Sequence, residues 1–518
     1  MAVSRRTRII LYSTAGLLAA LAITAAILVQ RFNPIARTCV ISALRERYRS
    51  DIVLSDFQIS LFPVVHASGN NLVFRLQGRH DLPPLIRVRR FTVDASFIGF
   101  FRSPRRLRKL NLEGLEIHTP PKRRDTGQSP KTGSGHVPSA FLMEEVVANG
   151  ATLETLPADP HKDPLTFQIG QLAMHTVGKD RPMTFHAELN NAKPPGFIHS
   201  DGEFGPWNQD EPGDTSLSGH YTFSNANLAV FKGISGTLSS SGDYRGKLDR
   251  IEVHGTTDVP DFALTPNGRA DHLRSEFQAT VDGTNGNTWL HPVRALLGTS
   301  AFEVSGAIER NALEKHKEID LEARTKGTGL ADFLRLAIRS PKPPMIGKIG
   351  FHTKVKIPPG EAPVVQRLQL DGAFTLDDVN FTGKDVEQKI ASLSHRAQGE
   401  PNDTSTTGVA ARFAGMFSLR DATLSLPKLR FDLPGARVAL DGLYALQSGE
   451  INFQGTAKLD ATVSQMTTGL KHILLKPVDP LFRRDGAGTV LPIEISGTRG
   501  SPSFRLDIGR VLKRNDAP

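Results

Sequence analysis

The chain has 518 residues, 39% hydrophobic and 22% charged, with 28 Phe against 5 Tyr and 2 Trp. This composition excludes a disordered chain, and the single cysteine, Cys39, excludes an internal disulfide. A net charge of +10 admits nucleic acid as a partner, but the basic residues are scattered through alternating segments. The densest run, from Arg87, Arg89 and Arg90 to Arg108 and Lys109, follows closely behind an apolar segment, so anionic lipid headgroups are the expected counter-charge and no nucleic acid is expected.

In chain order, residues 1–8 carry Arg5, Arg6 and Arg8 and read as a cytoplasmic tail. Residues 9–29, "IILYSTAGLLAALAITAAILV", hold no charge and would rise roughly 31 Å as a helix, enough to span a bilayer. They read as an uncleaved anchor in preference to a long signal peptide cut at the Ala20-x-Ala22 pattern. No second span follows, which places the rest of the chain on one side of the membrane. Residues 34–48 have the spacing of a short amphipathic helix at the interface.

From residue 51 the period changes to two. "FQISLF" (57–62), "FTVDASF" (91–97), "IGFHTKVKI" (349–357), "LQLDGAFTL" (368–376), "LRFDL" (429–433), "INFQGTAKL" (451–459) and "LPIEISGTRGSPSFRLDI" (491–508) alternate apolar with polar residues, the pattern of strands wetted on one side. Residues 119–138, rich in Pro, Gly and charge, read as a flexible loop or linker between two sheet regions. Helical spacing appears at 331–338, 383–397 and 462–475, stretches expected to pack at an end or edge of the sheet. Residues 288–306 and 423–442 echo each other, each with a Thr, a Pro, an Ala nine residues later and a Gly closing a strand. A repeated strand-turn-strand unit would produce this. About 25 strands at ~4.8 Å spacing would make a sheet on the order of 120 Å long.

Gly219, Gly306, Gly372 and Gly455 fall in phase with bulky apolar neighbours. Glycine there marks a bend or a close approach. It either serves strong coiling of the sheet or widens a concave face for an acyl chain. The apolar positions Ile349, Phe351, Val355, Leu368, Leu370, Phe374, Ile451, Phe453, Ile493, Ile495, Phe504, Leu506 and Ile508 are the candidate lining of such a groove, and Arg87, Arg89 and Arg90 with Arg5, Arg6 and Arg8 are candidate membrane-proximal cations. A bulge at Gly114, where "LNLEGLEI" changes phase, would reverse the parity after it.

No HExxH, paired CxxC, Walker loop or GxSxG elbow occurs. "SSGDYRGKL" (240–248) imitates a phosphate loop only superficially, and Asp258 with Asp261 or Asp377 with Asp378 have the character of turn residues. No enzyme activity, metal or cofactor is expected.

"DIVLSDFQISLFPVVHASGNNLVFR" (51–75), "LIRVRRFTVDASF" (85–97) and "LNLEGLEI" (110–117) resemble the N-terminal region of bacterial AsmA-like proteins, with their "SLFP" turn and later "LEG". Residues 381–401 and 479–507 resemble the late portion of that family. The resemblance implies a mainly β, elongated, taco-like, antiparallel-rich sheet with an apolar groove, a few helices and one N-terminal transmembrane helix. It divides the chain into a tail (1–8), an anchor (9–29), an N-terminal region (30–118), a linker (119–138), a repetitive sheet (139–376) and a C-terminal region (377–518). It also implies a single-pass protein of the bacterial inner membrane, its bulk in the periplasm, that carries phospholipid toward the outer membrane with an outer-membrane or periplasmic protein as partner. The alternative is a non-enzymatic assembly factor for outer-membrane proteins or envelope polymers that binds clients along a sheet edge.

Overall fold

The computed structural model describes residues 37–38, 41–42, 45, 50–60, 64–76, 83–96, 105–119, 141–155, 165–178, 181–206, 208, 211–231, 233–264, 269–310, 317–338, 340, 342–360, 362, 364–403, 405, 409–466, 488–498 and 501–506. The fold is mainly β, a large open sheet with few helices. The expected anchor, Arg5, Arg6, Arg8 and Ile508 lie outside these residues. Among the described residues no helix is long and apolar enough to cross a membrane. The chain divides into two compact units, one of Met1–Thr222, Asp243–Ile251 and Gly283–Asn285, the other of Phe223–Gly242, Glu252–Asp282 and Gly286–Pro518.

The first unit contains β1 (Ser50–Ser60), β2 (Val65–Leu76), β3 (Ile86–Ala95), β4 (Arg105–Thr119), β5 (Phe141–Thr155), β6 (Leu165–Val177), β7 (Met183–Ala192) and β8 (Pro195–Phe204). Each pairs with the next, antiparallel throughout except β4 with β5, which is parallel. A parallel pair needs its chain returned along the strand by a dozen or more residues, here over about 50 Å for a strand of this length. The interval 119–138 therefore joins two paired strands of one unit and does not separate two sheet regions.

Asp56, Asn71, Gly114 and Gly150 have positive φ, and the register skips Asn71 opposite Arg89, then Arg89 opposite Gly114. A row of matched phase changes thus crosses β2 to β5 without altering the register, beside a bulge between β1 and β2, and the phase change expected at Gly114 is real. It keeps Leu110, Leu112, Leu115 and Ile117 in line with Val93, Phe91, Val88 and Ile86. Around this row Leu54, Phe57, Val88, Phe91, Leu115, Ala148 and Ala151 form a buried cluster. Arg37, Thr38, Ile41, Ser42 and Arg45 are helical, as the 34–48 spacing predicts. Ile41 packs on the cluster, while Arg37 donates to the Leu54 carbonyl. Such bonds occupy main-chain acceptors along β1 that another chain would otherwise pair.

β9 (Ser216–Asn227), β11 (Thr237–Lys247) and β12 (Arg250–Leu264) divide between the units, and β10 (Ile234–Ser235) belongs to the second. The second unit continues with β13 (Asp271–Val281), β14 (Thr288–Leu297), β15 (Ser300–Glu309), β16 (Glu318–Gly329), α1 (Leu330–Ala337), β17 (Met345–Ile357), α2 (Val364–Arg367), β18 (Gln369–Phe381), α3 (Lys384–Gln398), β19 (Ala411–Arg420), β20 (Thr423–Leu433), β21 (Ala436–Ala445), β22 (Glu450–Leu459), β23 (Thr489–Thr498) and β24 (Ser501–Leu506). From β13 onward every neighbouring pair is antiparallel.

The sequence echo corresponds to a structural repeat. β14–β15 and β20–β21 share one pairing register at a constant offset, with Leu290, Val293, Leu297, Ser300 and Gly306 matching Leu426, Leu429, Leu433, Ala436 and Gly442. Pro292 and Pro427 sit one place apart within the same bulge. β16 and β18 carry equivalent bulges between Thr325 and Thr328 and between Leu376 and Val379. In these two the tight turn is replaced by α1 and by α3.

The two helices pack where the spacing predicts, at one end of the apolar face. Val379, Ala397, Ala411, Leu433, Ala436 and Leu459 form a buried cluster beside α3, and Phe333 of α1 meets Phe302 and Phe351 edge to face at 5.9 and 5.5 Å. The third helical stretch is described only to Met466, whose N–H closes a turn on the Thr462 carbonyl.

α1 is fixed by Asp332, whose side chain is 6% exposed. Its Oδ2 accepts from the Thr299 amide (3.0 Å), the Thr299 hydroxyl (2.9 Å) and the Ser300 hydroxyl (2.7 Å), and its Oδ1 meets Arg335. Burial pushes this carboxyl up, but the hydrogen bonds from Ser300 and Thr299 and the charge of Arg335 outweigh it and hold the group below its ordinary value. A folded value below the unfolded one contributes stability that is fully present above the ordinary carboxylate range and lost as pH falls through the folded value. Asp332→Asn is expected to cost about 3 kcal/mol at neutral pH and to flatten the acid limb of the melting curve between about pH 5 and pH 2. Melting temperatures across that range check both.

Candidate functional site

Register decides which side chains share a face, because residues directly opposite in a ladder point the same way. Ile349, Phe351 and Val355 lie opposite Leu376, Phe374 and Leu370, and Phe351 and Val355 also lie opposite Thr325 and Leu321. The line continues through Phe413, Gly415 and Leu419 of β19 and through Phe431 and Leu424 of β20. It then takes in Tyr444, Gly442 and Leu440 of β21, Ile451, Phe453 and Gly455 of β22, and Gly497, Ile495 and Ile493 of β23. Phe504 and Leu506 occupy the register positions opposite Ile495 and Ile493. One ladder thus brings all these candidates together. Leu368 lies just outside β18, its N–H closing α2 on the Val364 carbonyl.

The side chains of Ile349, Phe351, Val355, Leu370, Phe374, Ile451, Phe453, Ile493 and Ile495 are half-buried. They pack sideways on one another, and full burial on this face is confined mainly to positions beside the helices or near the strand ends. Among the described residues no second sheet or helix layer covers the middle of the face. The opposite face is polar and cross-linked. His352 pairs with Glu322 (2.5 Å), Lys356 with Glu318 (2.5 Å), Arg412 with Asp377 (2.5 Å), Arg324 with Glu303 (2.8 Å), and Lys348 with Asp378 (3.3 Å). The net positive charge is thus largely interleaved with carboxylates in this unit. Each exposed pair contributes little stability, but together they fix which face meets water.

The glycines mark close approaches between neighbouring strands on the apolar side. A Cβ at Gly455 would point to that face and overlap the Ala439 carbonyl oxygen of the adjoining strand, and one at Gly306 would overlap the Asp320 carbonyl. At Gly372 a Cβ would meet the His352 carbonyl oxygen at 2.5 Å. Backbone lying in the Cβ direction means that the neighbouring strand comes close over the apolar side at each of these glycines. In the first unit a Cβ at Gly219 would strike the Asp201 carbonyl and come within 2.6 Å of the Tyr244 hydroxyl. That hydroxyl is held at 2.7 Å by Ser200 and is raised above its ordinary value by burial.

Arg87, Arg89 and Arg90 are exposed and line, with Asn70, Asn71, Glu113 and Glu116, a polar cleft of 670 Å³ in the first unit. Arg87 and Arg90 stand opposite Glu116 and Glu113 in register, Arg87 3.7 Å from its carboxylate. The cluster is therefore of mixed charge. The carboxylate pairs with turn character take structural roles. Asp258 bonds His272 at 2.6 Å, Asp261 takes the Thr237 amide at 2.6 Å, and Asp378 has a positive φ in a bulge. "SSGDYRGK" runs along β11 as strand, with Lys247 paired to Asp214 at 2.9 Å.

Strand parity finds Ile349 to Phe374; the ladder continues through Phe413 and Phe417 of β19, which alternate without interruption, and through Leu429 and Phe431 of β20, beyond the bulge at 427–428 that shifts the phase. Helix-forming or turn-forming pairs inside an alternating run, Asp377-Asp378 and Pro427-Lys428, are the signal that marks such bulges. The chain matches no protein-family model, no curated protein and no solved structure.

Proposed function

We propose that the chain is a non-enzymatic, membrane-anchored protein of the AsmA-like kind that holds lipid acyl chains in a curved apolar groove and supports phospholipid movement between membranes. The observation that carries this reading is the run of half-buried Ile, Leu, Val and Phe across β16 to β23 with no covering layer among the described residues. A half-buried apolar face of that extent, left without a covering layer, is the kind of surface that marks a binding site. Each acyl methylene kept from water is worth about 0.8 kcal/mol, and an acyl chain needs only shape and apolarity from its host, which the proposed groove supplies. Headgroups would remain at the rim opposite α1 and α3, since the helices close the other end.

Mass spectrometry of the full chain, extracted and purified in a detergent that exchanges slowly, tests the reading. Co-purified phospholipid is expected at roughly stoichiometric or higher level, displaced by excess detergent. A folded, lipid-free protein that takes up no fluorescent phospholipid from vesicles would overturn it in favour of an assembly role.

A further inference from the structure

We propose that His395, Glu400 and Asp403 form a binding site for one divalent transition-metal ion, zinc by its donor set, at the C-terminal end of α3. His395 lies in the last turn of that helix, its side chain 9% exposed. Nε2 points at the Ser405 carbonyl oxygen, 2.9 Å away, with the Ser405 hydroxyl at 3.3 Å. A carbonyl only accepts, so Nε2 carries the hydrogen and Nδ1 is left with a lone pair in the neutral ring. Nδ1 is buried and has no hydrogen-bond partner. A histidine that donates through one ring nitrogen to a backbone carbonyl while turning the other, without a hydrogen bond, toward carboxylates is oriented as metal-ligating histidines are.

The chain brings the other two donors back to that nitrogen. Gly399, with φ of 85°, ends the helix in the left-handed conformation and reverses the backbone. The Glu400 amide then bonds the His395 carbonyl at 2.8 Å and the Asp403 amide bonds the Glu400 carbonyl at 3.1 Å. Asp403 Oδ1 accepts from the Ser405 amide at 2.8 Å, which leaves Oδ2 directed at the ring. Oδ2 is 3.4 Å from Nδ1. That is long for a hydrogen bond, but two ligand atoms each about 2.0–2.1 Å from a tetrahedral ion stand ~3.3 Å apart. The three donor atoms lie within 4.8 Å of one another. One imidazole with two carboxylates favours zinc over calcium or magnesium, which prefer all-oxygen shells. Both carboxylates are exposed, which gives the ion a path in and room for water as its fourth ligand.

Bound metal would tie Glu400 and Asp403 to α3, whose Ala397 belongs to the buried cluster closing one end of the apolar face. The test is equilibrium dialysis of the chelator-stripped full chain in detergent against Zn²⁺ as the only added metal. Wild type is expected to hold one zinc more than Glu400→Gln, Asp403→Asn or His395→Gln, with affinity at that site lowered at least about ten-fold by each change. His186→Gln is the control, because exposed His186 already pairs with Asp201 at 2.6 Å, and it should keep the wild-type stoichiometry. Zinc should also raise the melting temperature of wild type and of the control, and not of the three site variants. If burial of His395 prevents His395→Gln from folding, the two exposed carboxylates decide. Equal zinc stoichiometry and affinity in wild type, Glu400→Gln and Asp403→Asn would overturn the site and leave a plain histidine–aspartate ion pair.

Discussion

Val355→Asp is expected to strip phospholipid from the protein while Lys354→Asp, one residue away, leaves it in place. The two positions are neighbours on opposite faces, and Lys354→Asp, set between two carboxylates, is the more demanding change of charge. Val355 stands between Leu321 and Leu370 on the apolar side, and Lys354 between Glu322 and Asp371 on the polar side. A carboxylate on the apolar side either draws water into the groove or is forced to neutralise, and both outcomes cost several kcal/mol when an acyl chain lies against it. A drop of at least about ten-fold in retained phospholipid corresponds to only ~1.4 kcal/mol, well within that cost. Val355 is the better probe than Phe351, whose ring packs on Phe333 and so also supports α1. Because Val355 is half-buried, the folded state should survive, and far-ultraviolet circular dichroism establishes that it has. Equal lipid in both variants would mean that the ladder face between β16 and β18 is not where lipid sits.

The parity on which that contrast depends was legible wherever a strand alternates without interruption, as in "IGFHTKVKI", "LQLDGAF" and "INFQG". There the period of two leaves a single choice of face, and Ile349 to Phe453 fall together. Leu368 lies one residue before β18 because the four-residue α2 ends against the strand start, a boundary that apolar alternation does not reveal. The bulges were harder. Val379 is fully buried although alternation from Phe374 and Leu376 assigns it to the wet side, since Asp378 adopts a positive φ and resets the phase. The parallel pairing of β4 with β5 was beyond reach for another reason. Local pattern states that a segment is a strand and not which strand lies beside it, so the Pro- and Gly-rich interval between them looked like a boundary. His395 carried no signal at all, because its neighbours in the site depend on the left-handed turn at Gly399 and on where residues 400–405 fold back.

Gly455→Ala is expected to cost more than any other single-methyl addition considered for this face. The new Cβ would overlap the Ala439 carbonyl oxygen and approach the Ala439 carbonyl carbon and Leu440 Cα at 2.9 Å each. These are backbone atoms of a paired strand, so no rotamer change relieves the contact, and β21 must move away from β22. Overpacking that forces backbone shifts costs about 1–3 kcal/mol and occasionally more, and loss of adjacent ladder hydrogen bonds adds to it. Gly150→Ala supplies the contrast. Gly150 has a φ of 65° with nothing within 4 Å of a new Cβ, so that change bears only the left-handed backbone penalty of about 1–2 kcal/mol. Hydrogen exchange should show accelerated amides across β21, β22 and β23 in Gly455→Ala, with a lowered melting temperature, and only local effects in Gly150→Ala. On the proposed reading, retained phospholipid should fall with Gly455→Ala even under conditions where it remains folded, because moving β21 from β22 would disturb the face proposed to hold the chain. If the two variants behave alike, the close approach at Gly455 is absent in solution and curvature at the glycines does not shape the groove.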